Sequence, residues 1–172
     1  MKRIMLMILC MTFVLAGCSQ NVWETVEDNA TTMQVVSWLE DAHMIQTQLP
    51  QNVQMVAQTE GWNVYESDDG CLEIELRTML ASDPETAIHM LSGFGTDKLN
   101  ILQTKRFGMQ EYQFVWVSET AQGSRLYRAC LVMSDPECYA IVCSYPEMTG
   151  NLYHDEVRQV FSTFGLSTDE GV

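Results

Sequence analysis

Basic residues are scarce in this chain: 9 Lys and Arg stand against 23 Asp and Glu among 172 residues, a formal net charge of −14. A surface of that sign repels phosphate backbones, whose binding rests on neutralisation by Lys and Arg, so nucleic acid is not an expected partner. Histidine is scarcer still. His43, His89 and His154 lie far apart and none opens an H-E-x-x-H pair, so each reads as a surface residue and neither metal nor cofactor is expected. No apolar run reaches the roughly 18 residues that a membrane-spanning helix needs. A G-x-S-x-G elbow is also missing. Its nearest match, Met90-Leu91-Ser92-Gly93-Phe94, lacks both framing glycines and places Ser92 at a helix end, which removes the usual serine-hydrolase geometry.

What is present begins at the N-terminus. Lys2 and Arg3 form a charged start, Ile4 to Ala16 an apolar run of secretory length, and Leu15-Ala16-Gly17-Cys18 a small-residue site ending in cysteine. This stretch resembles the signal of bacterial lipoproteins. The resemblance implies diacylglyceryl attachment to Cys18, cleavage before it, and a place at the cell membrane or outer membrane on the extracytoplasmic side. Residues 1–17 are then a cleaved signal peptide, 18–32 a lipidated tether, 33–166 the globular domain and 167–172 a C-terminal tail. Losing Lys2 and Arg3 makes the remainder still more acidic, which disfavours close docking on anionic headgroups. Attachment therefore rests on the acyl chains, of which more than one is needed for stable anchoring.

Within the domain, Val35, Trp38, Leu39 and Ala42 fall at helical spacing, and His43 to Leu49 reads as a strand stopped by Pro50. Val53 to Ala57 follows, running to a turn at Glu60-Gly61. Trp62 to Glu66 and Cys71 to Leu80 flank Ser67-Asp68-Asp69-Gly70, a hairpin signal because Gly tolerates positive φ. That turn supplies two carboxylates where calcium wants six to eight oxygens, so it is read as structural. In the second strand Leu72, Ile74 and Leu76 point one way, while Glu73, Glu75 and Arg77 define an expected wet face.

Ser82-Asp83-Pro84-Glu85 is a helix start, and the helix is expected to bury Ala87, Ile88, Leu91 and Phe94 before Gly93 and Gly95 end it in left-handed conformations. Gly93-Phe94-Gly95-Thr96-Asp97-Lys98 is half of a dinucleotide fingerprint in the wrong order, helix before strand, and is read as cap and turn. Leu99 to Thr104, Gln110 to Ser118, Arg125 to Met133 and Cys138 to Tyr145 predict four strands in a meander. Tyr112, Phe114 and Trp116 alternate as core. A last helix from near Asn151 places Tyr153, Val157, Val160, Phe161 and Phe164 on one face and is expected to stop at Gly165.

This order predicts an α+β fold, a single domain with an antiparallel β-sheet covered by helices. From about Ala42 to Leu166 the chain resembles the PsbP-like family. The similarity lies in element order, in Gly123 before the strand carrying Arg128-Ala129, in Tyr139-Ala140-Ile141-Val142 after a tight turn, and in Phe161-Ser162-Thr163-Phe164. Members of that family are largely non-catalytic binding or assembly subunits, many bacterial ones being lipoproteins, so the resemblance implies a binding module with an envelope protein as partner. It transfers no site residue. The other reading is an envelope enzyme, hydrolase-like, with a site assembled from scattered Asp, Glu and His.

Two further groups of residues stand out. Lys98, Lys105, Arg106, Arg125 and Arg128 are all but two of the basic residues after Arg3, and they read either as a docking patch for an anionic partner or for the protein's own acidic face, or as ordinary solvated strand ends. Cys71, Cys130, Cys138 and Cys143 permit three pairings. If Asp135-Pro136-Glu137-Cys138 is the turn, Cys130 faces Cys143, and any disulfide joins that pair. The alternative is two reduced thiols packed as small hydrophobes.

Overall fold

The computed structural model describes residues 24–25, 43–149 and 151–168. The signal peptide, Cys18, most of the expected tether and the expected helix around Val35 lie outside the described residues. The described residues form ten strands: β1 (Glu24–Thr25), β2 (His43–Gln46), β3 (Val53–Thr59), β4 (Trp62–Ser67), β5 (Glu73–Leu80), β6 (Ile101–Arg106), β7 (Met109–Thr120), β8 (Gly123–Ser134), β9 (Glu137–Pro146) and β10 (Gly165–Thr168). Two helices join them, α1 (Pro84–Ser92) and α2 (His154–Ser162).

Eight strands form one sheet in the order β1-β6-β7-β8-β9-β5-β4-β3, and β10 pairs with β2 in a second, two-stranded sheet. The meander β6 to β9 is as the turn spacing predicts. The β3-β4-β5 run then attaches to the free edge of β9, where Leu76 lies opposite Ile141 and Arg77 opposite Ala140. This placement makes β9 central. Every residue from Cys138 to Ser144, and Tyr145 after them, is buried, because alternate side chains meet a helix on each side.

On one side Tyr139, Ile141 and Cys143 pack with Leu72, Ile74, Cys130 and the α2 residues Val157, Val160 and Phe161. On the other, Cys138, Ala140 and Val142 pack with Phe114, Trp116, Leu131 and the α1 residues Ala87 and Ile88. Fully burying a side chain of this size stabilises by about 1.5–3 kcal/mol, so these two layers dominate the fold energetics. The expected wet face of β5 is thereby corrected. Glu75 is buried, 7% exposed, because α1 crosses that face.

Local chemistry sets the element ends. Asp83 caps α1 by accepting from the Thr86 amide at 2.8 Å, Pro84 occupies the first helical position, and Gly93 ends the helix at φ 76°. Phe94 lies beyond that cap and is exposed, not buried, and Gly95 has an ordinary φ of −72°. Gly61 is required twice over. Its φ is +71°, and a Cβ there would stand 2.9 Å from the Thr78 carbonyl oxygen.

The C-terminal region departs from expectation. Helix α2 begins at His154 and ends at Ser162, where the Thr163 amide and hydroxyl both donate to the Gln159 carbonyl, at 3.1 and 2.8 Å. Gly165 opens a strand and stops no helix. Residues 165–168 pair with 43–46, Leu166 opposite Ile45, so part of the expected tail is sheet. Thr47 Oγ1 reinforces this by donating to the Val160 carbonyl at 2.7 Å.

The β8-β9 register also differs. The turn is Ser134-Asp135-Pro136-Glu137, with a cis Asp135–Pro136 peptide and Ser134 opposite Glu137. Cys130 therefore faces Ile141, and Cys143 faces Arg128. The two cysteines are diagonal neighbours, whose separation of about 7–8 Å exceeds what a disulfide spans without backbone movement. Both are free and buried, as is Cys138, while Cys71 is free and half-buried.

Candidate functional site

Helix α2 has nine residues, about 13 Å of length, and cannot cover all eight strands of the sheet. Over β6, β7 and β8 it leaves a cleft of about 480 Å³. Asn100, Leu102, Gln113, Val115, Arg128 and Phe161 line it. Strand alternation puts these side chains there: Arg128 lies directly across from Val115 on β7, and its neighbours on the same face, Leu126, Cys130 and Val132, pack under α2. Arg128 is thus a charge in an apolar row. Its guanidinium carbon stands 5.8 Å from the Phe161 ring centroid, a cation–π arrangement.

The neighbouring ion pair is closed. Glu111, 2% exposed, is gripped by the Arg106 guanidinium and accepts from Gln113 Nε2 at 2.6 Å, while Arg106 Nη1 donates to the Phe164 carbonyl at 3.1 Å. Its oxygens face donors, so this carboxylate is structural.

The opposite face holds a smaller polar pocket of about 260 Å³, lined by Glu75, Arg77, Ser92, Trp116, Ser118 and Tyr127. Glu75 accepts from Trp62 Nε1 and Arg77 Nε, each at 2.8 Å, and Arg77 stacks 5.1 Å from the Trp62 ring centroid. Nearby, burial and then the Glu75 charge push the Glu73 carboxyl up, against the pull of Arg125 and Ser144. Arg125 Nη2 is itself committed, donating at 3.0 Å to the Cys71 carbonyl, the Ser144 carbonyl and Ser144 Oγ.

A third concavity of about 400 Å³ runs along β7 past the end of β6, between Phe94 and Leu99 on one side and Val115, Trp116 and Val117 on the other. Here β7 continues to Thr120 while its pairing with β6 ends at Phe114 opposite Ile101.

The five basic residues therefore do not form one patch. Lys98 is exposed beside Asp97 at 3.4 Å, Lys105 is exposed on β6, Arg106 and Arg125 are absorbed in the bonds just described, and Arg128 alone of the five lines the large cleft. The histidine and serine readings have equally local explanations. His89 and His154 are exposed, and Ser92 Oγ donates to the Ile88 carbonyl at 2.8 Å while accepting from the Phe94 amide at 3.0 Å. Among the described residues no group of three His, Cys, Asp or Glu side chains could hold a metal ion, and no helix is long and apolar enough to cross a membrane. Asp69 is bound by donors instead. Ser67 Oγ at 2.5 Å, Tyr153 Oη at 2.6 Å and the Cys71 amide at 3.0 Å lower its pKa to about 2.

Sequence reasoning placed Arg128 in a group of five and missed the cleft. The available signal was its position, a lone charge in the alternating apolar row Leu126, Cys130, Val132.

No protein-family model and no curated relative matches the chain. Solved structures do. A Bacteroides thetaiotaomicron structure is 9% identical over 74% of this chain with a TM-score of 0.52; the match takes in 46% of its length, so this chain spans about half of it. LpqN of Mycobacterium tuberculosis, described as involved in cell envelope biogenesis, is 12% identical over 74% of this chain and 85% of its own, with a TM-score of 0.47. Cyanobacterial PsbP (CyanoP) of Synechocystis sp. PCC 6803 is 10% identical, with a TM-score of 0.51 over 77% of this chain and 96% of its own. The fold is PsbP-like: an α+β single domain in which a large antiparallel sheet carries one helix on each face.

Proposed function

We propose that this protein is a lipid-anchored, non-catalytic binding module of the cell envelope, held by acyl chains on Cys18 at the extracytoplasmic side of the cell membrane or outer membrane. It docks an envelope partner through the cleft on the α2 side of the sheet. The observation that carries this reading is the contrast between the two faces. The pocket that contains a carboxylate has spent it on Trp62 and Arg77, whereas the larger cleft presents Arg128 beside apolar walls. The cleft, with polar and apolar lining in about equal share, lies within the usual range of about 300–1,000 Å³ for binding sites. The raised carboxyl of Glu73 beside Glu75, with Ser144 Oγ 3.5 Å away, is what favours the enzyme reading; against it, neither Glu73 nor Ser144 lines that pocket, and Ser144 Oγ also accepts from Arg125.

Site-specific photocrosslinking in intact cells tests the docking. A crosslinker at Asn100, on the rim of the cleft, is expected to yield one discrete adduct that a crosslinker at Glu85 on α1 does not. Identical adducts from both positions would end the reading. Cys18→Ala is expected to remove the acyl mass and the detergent partitioning, since only a thiol at that position forms the thioether. A variant still carrying acyl mass refutes the anchor.

A further inference from the structure

We infer that the cleft on the α2 side recognises a single carboxylate attached to an apolar group, with Arg128 as the anchoring residue; this rests on the docking role of the cleft and names its ligand chemistry. The inference starts from the arginines. Arg77 grips Glu75, Arg106 grips Glu111, Arg125 donates to three oxygens, and Arg158 lies 3.9 Å from Asp155. Among the described residues Arg128 has no such oxygen: it stands over the Phe161 ring and faces the Cys143 thiol across the β8-β9 pair. A guanidinium carries five N–H donors in a rigid fork, and a half-buried one with no protein acceptor is met by solvent, which a carboxylate can displace. Phe161 lies against the fork, and Arg128 lines the cleft beside it.

The rest of the lining selects among anions. Leu102, Val115 and Phe161 supply apolar wall, and Gln113, whose Nε2 is committed to Glu111, has its carbonyl oxygen to spare for a donor next to the carboxylate. One guanidinium matches one carboxylate bidentately. In a chain of net charge −14, each additional negative charge on a ligand meets repulsion that no second cation in the cleft offsets. A dianionic phosphate is therefore the poorer match. A carboxylate with an apolar neighbour occurs both in small hydrophobic acids and at the free C-terminus of a peptide ending in an apolar residue.

Calorimetry on the full chain in detergent micelles, with micelles alone as the blank, tests this. The probes are 3-phenylpropionate, 3-phenylpropionamide, inorganic phosphate, and the peptide Ala-Ala-Phe with free and with amidated C-terminus. We expect 3-phenylpropionate to bind at one site in the millimolar range or better and the amide to bind at least about tenfold more weakly. Arg128→Gln should weaken the acid by a similar factor and Arg128→Lys by less, because the charge is kept and the fork is lost. If the free peptide binds at least about tenfold more tightly than the small acid, the source is a protein C-terminus; equal binding identifies a small acid. Binding of the amide or of phosphate as tight as that of the acid overturns the inference, as does absence of any acid binding to the wild type. These ligand comparisons need no variant to fold. If the Asn100 adduct forms undiminished in Arg128→Gln, docking stands and the carboxylate anchor falls.

Discussion

Replacing Arg106 by Met is the sharpest test of how the sheet edge is held. Glu111 is 2% exposed, and its carboxylate is gripped by the Arg106 guanidinium. Met preserves much of the side-chain volume against the Phe164 ring, over which Arg106 stacks at 5.7 Å, so packing changes little and the loss is electrostatic. Breaking a buried ion pair by removing one partner costs about 3–5 kcal/mol, because the other charge stays buried and uncompensated. The remaining bond from Gln113 places the cost near the lower end, about 3 kcal/mol. In a domain of this size each kcal/mol shifts the melting midpoint by about 2–4 °C, which predicts a fall of about 6–12 °C. The double variant Arg106→Met/Glu111→Leu removes both charges and is expected to recover part of the loss, leaving a deficit of about 1–2 kcal/mol from the orphaned Gln113 amide and Phe164 carbonyl. Equilibrium urea unfolding at neutral pH, followed by tryptophan emission, measures all the variants. If Arg106→Met costs less than about 1 kcal/mol, or if the double variant loses the sum of the two single losses, the pair is not a buried, coupled unit and the argument fails.

Two further outcomes follow from buried and bonded groups. Burial raises the thiols of Cys130 and Cys143 well above their usual range and that of Cys138 to about 11, so at pH 8 a thiol reagent should label Cys71 in the native protein and the other three only after unfolding; native labelling of Cys130 or Cys143, or a mapped bridge between them, would contradict the register of β8 and β9. The carboxyl of Asp69 is depressed to about 2 from an ordinary 3.8, first by Ser67 and then by Tyr153, so its contribution to stability is present above pH 3.8 and is lost as pH falls through 2. The melting difference between wild type and Asp69→Asn should therefore close toward pH 2. A carbon-detected titration should show the Asp69 midpoint rising in Ser67→Ala and less in Tyr153→Phe, and an unchanged midpoint in both would remove the assigned cause.

Much of this architecture was readable from local signals. Asp-Gly at the β4-β5 turn, Asp83-Pro84 before α1 and the apolar face of α2 each specify backbone geometry through nearby residues, and each element is present, α2 being shorter at both ends than its pattern marks. What failed depended on contacts distant in sequence. Gly165 looks like a helix stop until Leu166 meets Ile45, more than a hundred residues away, and becomes strand. Glu75 looks solvated until α1, joined to β5 by three residues, folds back across it. The cysteine register turned on a single residue of turn placement, since Pro136 suits the second position of a common turn and here takes the third. Arg128 was visible as a charge out of pattern, but the cleft around it arises from the length of α2 against the width of the sheet, which no local motif encodes.

The two-residue strand β1 has a spatial consequence. Glu24 and Thr25 lie parallel to Leu102 and Gln103 on the outer edge of β6, and Leu102 is part of the wall of the Arg128 cleft. With lipid on Cys18, only six residue-to-residue steps separate the anchor from this stitch, and at about 3.4 Å per step the edge of the sheet can stand no more than about 20 Å from the bilayer surface. Were the stitch absent, the next described residue paired into a sheet would be His43, 25 positions beyond Cys18 and about four times as far along the chain. The volume the domain could sweep would grow far more steeply than its radius. If the proposed lipid anchor holds, two backbone pairings would thus decide whether the cleft patrols a thin shell against the membrane or a deep one, and with it the concentration at which the cleft meets anything held on the same surface.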